Sequence, residues 1–325
     1  SLAVVLLLTD RIFNITGRPN MGDIEKSIAV LPFTNMSNDP DQEFFSDGLT
    51  DDILTQLAKI EEFRVISRTT VMQYKNNPIP IPEIGRKLDV GLVLEGSVQK
   101  SGDQLRIFAQ LINAKTDEHI WAESYDRPIA DLFDIQREVA LAIADITRAK
   151  LSPSLEKNIN SDPTGNMEAY QLYQRGNYYL NQPHYSEDEW RKAIGYFNEA
   201  VQLDPSFAQA WGQLTKCHSR LYYLKSDRTE KRKELAKEAA DNAIKLGGDI
   251  PEVQLSLGYY HLWAMEDKVT ALSYFELAAD KLDNNVEVLI AKASIYEPQG
   301  EWAKYIETYE KGVRISPMDL NCIVN

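Results

Sequence analysis

Cysteine is nearly absent: Cys217 and Cys322 are the only two in 325 residues. Two thiols make neither a disulfide framework nor a zinc ligand set, and both fall in helical repeat segments, where a thiol packs as a small hydrophobe. Histidine is scarce too, at His119, His184, His218 and His261. His218 and His261 share one position of a repeat, that of a ring facing the neighbouring helix. Packing is the expected role there, with a metal pair between repeats as the competing one. The motifs of phosphate cradles, zinc proteases, nucleophile elbows and redox pairs are missing: no G-x-x-x-x-G-K-[ST], H-E-x-x-H, G-x-S-x-G or C-x-x-C. The glycines of LEGSVQKSGD sit on a strand and its turn, not at a helix N-terminus that could hold phosphate. No catalytic residue, metal ligand or cofactor is therefore expected in this chain.

Positive charge is the minority sign, with 35 basic against 49 acidic residues and a net charge of -14. Binding a polyanion needs a basic face that releases counterions, so nucleic acid is excluded as an expected partner. The nearest basic run, TEKRKELAK at 229–237, alternates in sign and reads as a solvated helix face. Long apolar runs are lacking as well. The longest, Leu2 to Leu8, ends at Asp10 and Arg11, short of the ~20 residues that a membrane span needs. It has neither the basic start nor the cleavage site of a signal peptide. Residues 1–22 are expected to be the end of a transmembrane or juxtamembrane helix. An amphipathic helix docked on the first domain or on a second copy is the alternative.

What is present is ordinary globular material, 43% hydrophobic and 26% charged, enough for two or three domains. From Ser27 the chain alternates. SIAVLPF reads as a buried strand closed by proline, and Leu49, Ile53, Leu57 and Ile60 recur at helical spacing. FRVISRTTV, Phe63 to Val71, reads as a second strand, and IPEIGRKLDV as a short helix with Pro82 near its start. Two strands flank the KSGD turn, a hairpin signal centred on Gly102. HIWAESYDR adds a strand. DLFDIQREVALAIADITRAKL closes the unit as an amphipathic helix, with Leu132, Ile135, Val139, Ile143 and Ile146 on one face. This order predicts an α/β domain with a mixed sheet over 27–150.

Inside that domain lies the acidic stretch NDPDQEFFSDGLTDDI, Asn38 to Ile53. It fails as a calcium loop: from Asp39 the sixth and twelfth positions are Phe44 and Thr50, and from Asp41 they are Ser46 and Asp52. A helix entrance fits better, with Asp39 as cap, Pro40 in the first turn and the following carboxylates against the positive end of the helix. Gly48 then falls inside the helix at a cost of about 1 kcal/mol, which implies a close backbone approach. A break with a second start at Ser46 or Thr50 is the alternative.

Residues 152–166 turn to Pro, Ser, Asn and Gly, placing a linker at 151–166. Beyond it the chain repeats. Ala193, Phe197, Ala200 and Pro205 form a frame that returns as Ala236, Ala240, Ala243 and Gly248, then as Ala271, Phe275, Ala278 and Asp283, and last as Tyr305, Tyr309, Gly312 and Pro317. A partner helix precedes each frame, with its own pattern in Gln254, Leu257, Gly258 and His261. This resembles the tetratricopeptide repeat, a helix–turn–helix unit of 34 residues. About four units are expected over 167–325, with insertions of about five and about nine residues in the first two against the 34-residue frame. The last residues, DLNCIVN, stand where a fifth unit would begin, so a truncation or a short cap is expected there.

In such a solenoid Tyr170, Tyr173, Asn177, Gln209, Lys216, Arg220, Tyr259, Trp263, Glu287 and Ser294 should line the concave face. That face commonly holds an extended peptide or a partner helix, and exposed Tyr, Trp and Arg are frequent anchors at interfaces. Two uses stay open: a binding groove, or an intramolecular contact with the α/β domain or a further repeat.

IAVLPFTNMSNDPDQEFFSDGLTDDILTQL, VLEGSVQKSGDQLRIFAQLINAKTDEHIWAESYDR and DIQREVALAI together resemble the TolB-N-like (FlgO-like) domain of bacterial signalling proteins. The resemblance implies a non-catalytic region placed ahead of tetratricopeptide repeats. An effector is expected on its N-terminal side, a class III nucleotide cyclase, a winged-helix DNA-binding domain or a Ser/Thr kinase, often joined through a transmembrane helix. The expected function is a sensory and protein-interaction region of a membrane-anchored protein, its globular part periplasmic with the cytoplasmic side as the alternative, and with a second copy of the chain as a further candidate partner. The competing reading makes the α/β domain a small-molecule receptor and leaves oligomerisation to the repeats.

Overall fold

The computed structural model describes residues 26–37, 39, 42–60, 62–150, 162–181, 186–282 and 285–316. The N-terminal unit is built on strands β1 (Ser27–Val30), β2 (Thr34–Asn35), β3 (Arg64–Val65), β4 (Leu92–Ser101), β5 (Gln104–Asn113) and β6 (His119–Pro128). Their order is β3-β1-β4-β5-β6, with β2 pairing the far part of β4. The β1–β3, β1–β4 and β2–β4 pairs are parallel, while β4–β5 and β5–β6 are antiparallel. The sheet is mixed, as its sequence implied. Gly102 takes the left-handed conformation, φ 57°, that lets a two-residue turn join Ser101 to Gln104.

Helices cover both faces of the sheet, because alternate side chains of β1 and β4 point opposite ways. Ile28, Val30, Leu92 and Leu94 face the long helices α1 (Glu43–Ala58) and α4 (Leu132–Ile146). Ala29 and Val93 pack instead with Ile84 and Leu88 of α3 (Ile81–Leu88). Phe45, Leu49, Ile53 and Leu57 of α1 are buried on one side, the face that their spacing predicts.

Two local expectations are corrected. The strand expected over Phe63 to Val71 is limited to Arg64–Val65, and α2 (Arg68–Val71) follows. Ser67 starts that helix by accepting the Thr70 amide at its hydroxyl, which overrides the β-branched composition of the segment. Helix α1 starts at Glu43 rather than on an Asp39 cap: Asp39 is one turn upstream, where its carbonyl accepts the Gln42 amide at 3.1 Å. The helix runs unbroken through Gly48, so neither Ser46 nor Thr50 restarts it.

The C-terminal unit is a helical-repeat solenoid of antiparallel pairs: α5 (Met167–Leu180) with α6 (Glu187–Leu203), α7 (Ala208–Tyr223) with α8 (Glu230–Gly247), α9 (Pro251–Trp263) with α10 (Lys268–Ala279), and α11 (Val286–Gln299) with α12 (Trp302–Ile315). The predicted frame residues are its core. Ala193, Phe197, Ala200, Ala236, Ala243, Ala271, Phe275 and Ala278 are fully buried. Glycine sits where the phenylalanine of the second helix presses on the first. A Cβ on Gly176 would lie 2.4 Å from the Phe197 ring, and one on Gly258 would lie 2.3 Å from that of Phe275. Helix starts are set by side chains. Ser186 forms a capping box with Glu189, Thr229 and Asp267 cap α8 and α10, and Asn166 and Asn285 cap α5 and α11. The expected linker therefore ends as a cap, and residues 151–161 lie outside the described residues.

The two units share one hydrophobic core, which runs from the sheet through α1 and α4 into Ala169, Tyr170, Phe197 and Phe207. They meet a second time at the far end of the solenoid. The Ser67 amide donates to the Ile315 carbonyl at 3.0 Å, and the Ser316 hydroxyl bonds the hydroxyls of Ser67 and Thr70. Arg64 donates to the Arg314 carbonyl at 3.2 Å. The solenoid thus arches over the α/β domain and is fastened to it at both ends.

Candidate functional site

Helix α1 brings its polar side to α5, and the contact is organised by Asp52. Three side chains from two other helices donate to Asp52 Oδ2: Gln136 of α4 at 2.8 Å, Gln174 of α5 at 3.0 Å, and the Tyr170 hydroxyl of α5. Withdrawal from bulk water pushes the Asp52 carboxyl up to about 7 despite those donors, and the adjacent Asp51 adds to the rise. Asp51 is itself raised to about 6 by the same desolvation, which the neighbouring Arg68 opposes. Arg68 bonds Asp51 at 2.6 Å, and Lys75 pairs with Asp47 and Glu43. Much of the stretch that looked like a metal loop is therefore a set of ion pairs and a domain contact. Among the described residues, no group of three or more His, Cys, Asp or Glu is placed to hold a metal.

Gly48 lies at the tightest point of this contact: a Cβ there would sit 2.6 Å from Gln174 Nε2. The close approach implied by a glycine in mid-helix is thus supplied by a side chain of the solenoid. At the end of α1 the Lys59 ammonium is held below its ordinary range by burial, which Glu252 at the start of α9 partly offsets. Helices α5 and α9 are both first helices of their pairs, so α1 rests on the inner side of the solenoid.

The predicted concave residues divide into two groups. Tyr170 is buried against Asp52, and Tyr173 is wedged between the rings of Phe197 and Phe207, with centroids 5.7 and 4.9 Å away. Asn177 lines a cavity against α1. Tyr170 and Asn177 thus face the α/β domain, whereas Tyr173 is packed within the solenoid itself. Further along, Lys216, Arg220, Tyr259, Trp263 and Glu287 come together across three repeats. The Tyr259 and Trp263 rings stack at 4.2 Å, and the Arg220 guanidinium lies over Trp263 at 4.8 Å and over Tyr223 at 5.8 Å. Lys216 lies 5.4 Å from the Tyr259 ring and pairs with Glu287 of α11. Arg220 forms no ion pair among the described residues, so its planar donor fork has rings on its faces and no carboxylate at its edge. Gln209 is half-buried outside both groups, and Ser294 is exposed with its hydroxyl turned onto the Ala291 carbonyl at 2.7 Å.

The sequence reading missed Asp52, Gln136 and Gln174 as contact residues and Tyr223 as part of the cluster. Gly48 was the visible signal for the first group. Tyr223 was hidden because it lies at the last residue of α7, one turn beyond Arg220. Of the histidines, His218 is buried and its Nδ1 lies 2.7 Å from the Arg232 guanidinium, while His261 stacks on Tyr274 at 5.3 Å. Cys217 is a buried free thiol, and Cys322 lies outside the described residues.

The model of the HilA/YgeH-like transcriptional regulator second domain matches residues 24–140, the span in which a TolB-N-like domain was expected. A Rhizobium meliloti (strain 1021) protein with the name "Putative adenylate cyclase 3" is 39% identical over 189 residues, which is 58% of this chain. The chain spans about a third of that relative, 32% of its length. Among solved structures, a thermophilic TPR protein from Thermus thermophilus is 18% identical at a TM-score of 0.40, covering 60% of this chain and 92% of its own. A lipoprotein from Neisseria meningitidis is 18% identical at a TM-score of 0.30, covering 37% of this chain and 97% of its own. No helix among the described residues is long and apolar enough to cross a membrane. The apolar start at 1–22 lies outside the described residues.

Proposed function

We propose that this chain is a non-catalytic sensory and protein-interaction region of a membrane-anchored bacterial signalling protein. The inner face of the solenoid takes a protein or peptide partner, and the contact around Asp52 passes the event to the α/β domain and on to an effector. The observation that carries this reading is the cluster of Arg220, Tyr223, Tyr259 and Trp263. Tyr259 is a core ring of the third pair, 7% exposed, but Tyr223 is half exposed and Trp263 only partly buried, and such rings beside an arginine without an ion pair among the described residues are frequent energetic anchors at interfaces. The similarity to a protein named as an adenylate cyclase, of which this chain would form about a third, supports a cyclase as the effector. The likeness of residues 24–140 to a domain of transcriptional regulators supports the same regulatory setting with a different output. The α/β domain is read as TolB-N-like in this scheme, and the anchor is assigned to the apolar start.

The test is selection of binding peptides from a displayed library on the whole chain, repeated with Arg220→Ala and Trp263→Ala. Peptides that bind wild type and are lost in both variants support the assignment. Peptides retained by both variants place the binding surface elsewhere.

A further inference from the structure

Between α1 and α5 lies a small cavity of about 20 Å³, partly open to solvent. Its walls are Phe44, Asp47, Gly48, Asp51 and Asp52 on one side, Gln174, Asn177 and Tyr178 on the other, and Arg68 at one end. This is far below the ~300–1,000 Å³ of sites for drug-sized molecules and little more than the ~10–15 Å³ that one ordered water needs, which restricts an occupant to a few heavy atoms at most.

The charge around the cavity does not balance. Glu43, Asp47 and Asp51 share the two cations Lys75 and Arg68, and the remaining carboxylate, Asp52, has no ion pair among the described residues. Its donors are neutral and converge on Oδ2, so Oδ1 has none from the described residues. Lys59 attracts Asp52 only from about two turns further along α1.

A second observation is independent of that acidic cluster. Gln174 is 3% exposed, yet its Oε1 has no hydrogen-bond partner among the described residues, although the residue lines the cavity. Its amide cannot simply be turned over, because Nε2 donates to Asp52 and Oε1 in that place would face a carboxylate. A buried acceptor left without a donor costs about 1–3 kcal/mol. The Arg175 guanidinium lies over the Phe44 ring at 4.5 Å and gives Asp52 no hydrogen bond among the described residues, so the component that would complete the site is a species that brings N–H donors and positive charge to Asp52 and Gln174.

We propose that this cavity binds a small primary ammonium ion, with donors to Gln174 Oε1 and Asp52 Oδ1 and with Asp47 and Asp51 supplying the surrounding negative potential. The ion bridges α1 and α5, so its occupancy strengthens the contact between the α/β domain and the solenoid. The site is separate from the aromatic cluster of the inner face, and the proposal stands whether or not that cluster binds a peptide.

The experiment is a titration of the whole ¹⁵N-labelled chain with ethylammonium chloride at pH 8 and constant ionic strength, following the Gly48 amide and the Gln174 side-chain amide. Potassium and tetramethylammonium, which bring charge without N–H donors, are the comparison ions. The expected result is a saturable shift with ethylammonium alone, with affinity at least about tenfold weaker in Asp52→Asn and in Gln174→Met. Asp52→Asn keeps an acceptor for Tyr170 and Gln136, so it decides the matter if Gln174→Met does not fold. No saturable shift, meaning that water alone fills the cavity, overturns the proposal. So does an equal response to potassium or tetramethylammonium, or an unchanged affinity in a folded Asp52→Asn variant.

Discussion

Gly48 of α1 and Gln174 of α5 meet where the α/β domain joins the solenoid, with 2.6 Å between Gln174 Nε2 and the place a Cβ on residue 48 would take. Alanine there would gain about 1 kcal/mol of helix propensity. It would also displace Gln174 from Asp52, and a hydrogen bond to a charged group contributes about 1.5–3 kcal/mol. Gly48→Ala is therefore expected to be neutral or destabilising in wild type. In a Gln174→Ala background, with nothing left to displace, the same change should stabilise by about 1 kcal/mol. Denaturant midpoints around this double-mutant cycle measure the coupling. Equal effects in both backgrounds would show that the two residues do not press on each other.

Asp52 makes stability depend on pH in a direction opposite to that of most carboxylates. Its folded-state pKa of about 7 lies above the ordinary 3.8, so between those values the folded chain holds a proton that the unfolded chain releases. Stability from this group is full below pH ~4 and falls as pH rises toward 7, with a limiting slope of about 1.4 kcal/mol per pH unit. Asp51 on the same helix, raised to about 6, acts in the same sense. The other charged or titratable groups facing this contact are Glu43, Asp47 and Lys59 from α1, Arg68, Lys75 and Tyr170. Asp52→Asn keeps the acceptor and removes the titration. Its stability relative to wild type, followed by chemical denaturation, should rise between pH 4 and pH 7. A difference that stays flat contradicts the assignment.

The second fastening rests on small groups. Ser316 is fully buried and bonds Ser67 and Thr70, and the Ser67 amide donates to Ile315. Ser316→Ala leaves two buried hydroxyls short of a partner, at a cost of about 1–3 kcal/mol. Hydrogen exchange at the Ser67 amide should quicken in that variant, while Ala200 and Phe197 in the solenoid core keep their protection. Unchanged exchange at Ser67 would mean that the closure does not depend on Ser316.

His218 responds to acid in the opposite sense from Asp52. Burial and the Arg232 guanidinium depress its pKa to about 4, below the ordinary 6.5. The stability it contributes is present above pH ~6.5 and is lost as pH falls toward 4. A His218→Gln variant should lose less stability than wild type over that interval in the same denaturation series, and an equal loss would remove His218 from the acid response.

The architecture was legible because its signals are periodic. Ala193, Phe197 and Ala200 recur in frame through the solenoid, and the alternation of β4 and β5 around Gly102 needs no knowledge of the rest of the chain. Short segments read less well. The Phe63 to Val71 run has the composition of a strand, and one Ser67 hydroxyl turned its second half into a helix. The contact between the units was legible only as an anomaly. Gly48 showed that something approaches α1, but the residue that approaches, Gln174, lies far along the chain in another unit. The concave residues could be counted from the repeat frame, whereas their division between Asp52 and the Arg220 cluster depends on the curvature of the solenoid, which no local pattern encodes.

The most direct test of the account is the affinity of one selected peptide for the whole chain, measured by fluorescence anisotropy in wild type, Arg220→Ala, Trp263→Ala and Tyr170→Phe. Each variant is first checked for a cooperative unfolding transition, to show that it is folded at the assay temperature. Interface anchors cost more than about 2 kcal/mol when truncated, so Trp263→Ala and Arg220→Ala should each weaken binding by about thirtyfold or more. Tyr170→Phe, which alters only the contact with Asp52, should leave the affinity within about twofold. Equal affinity in all four proteins would contradict the assignment of the inner face as the partner-binding surface.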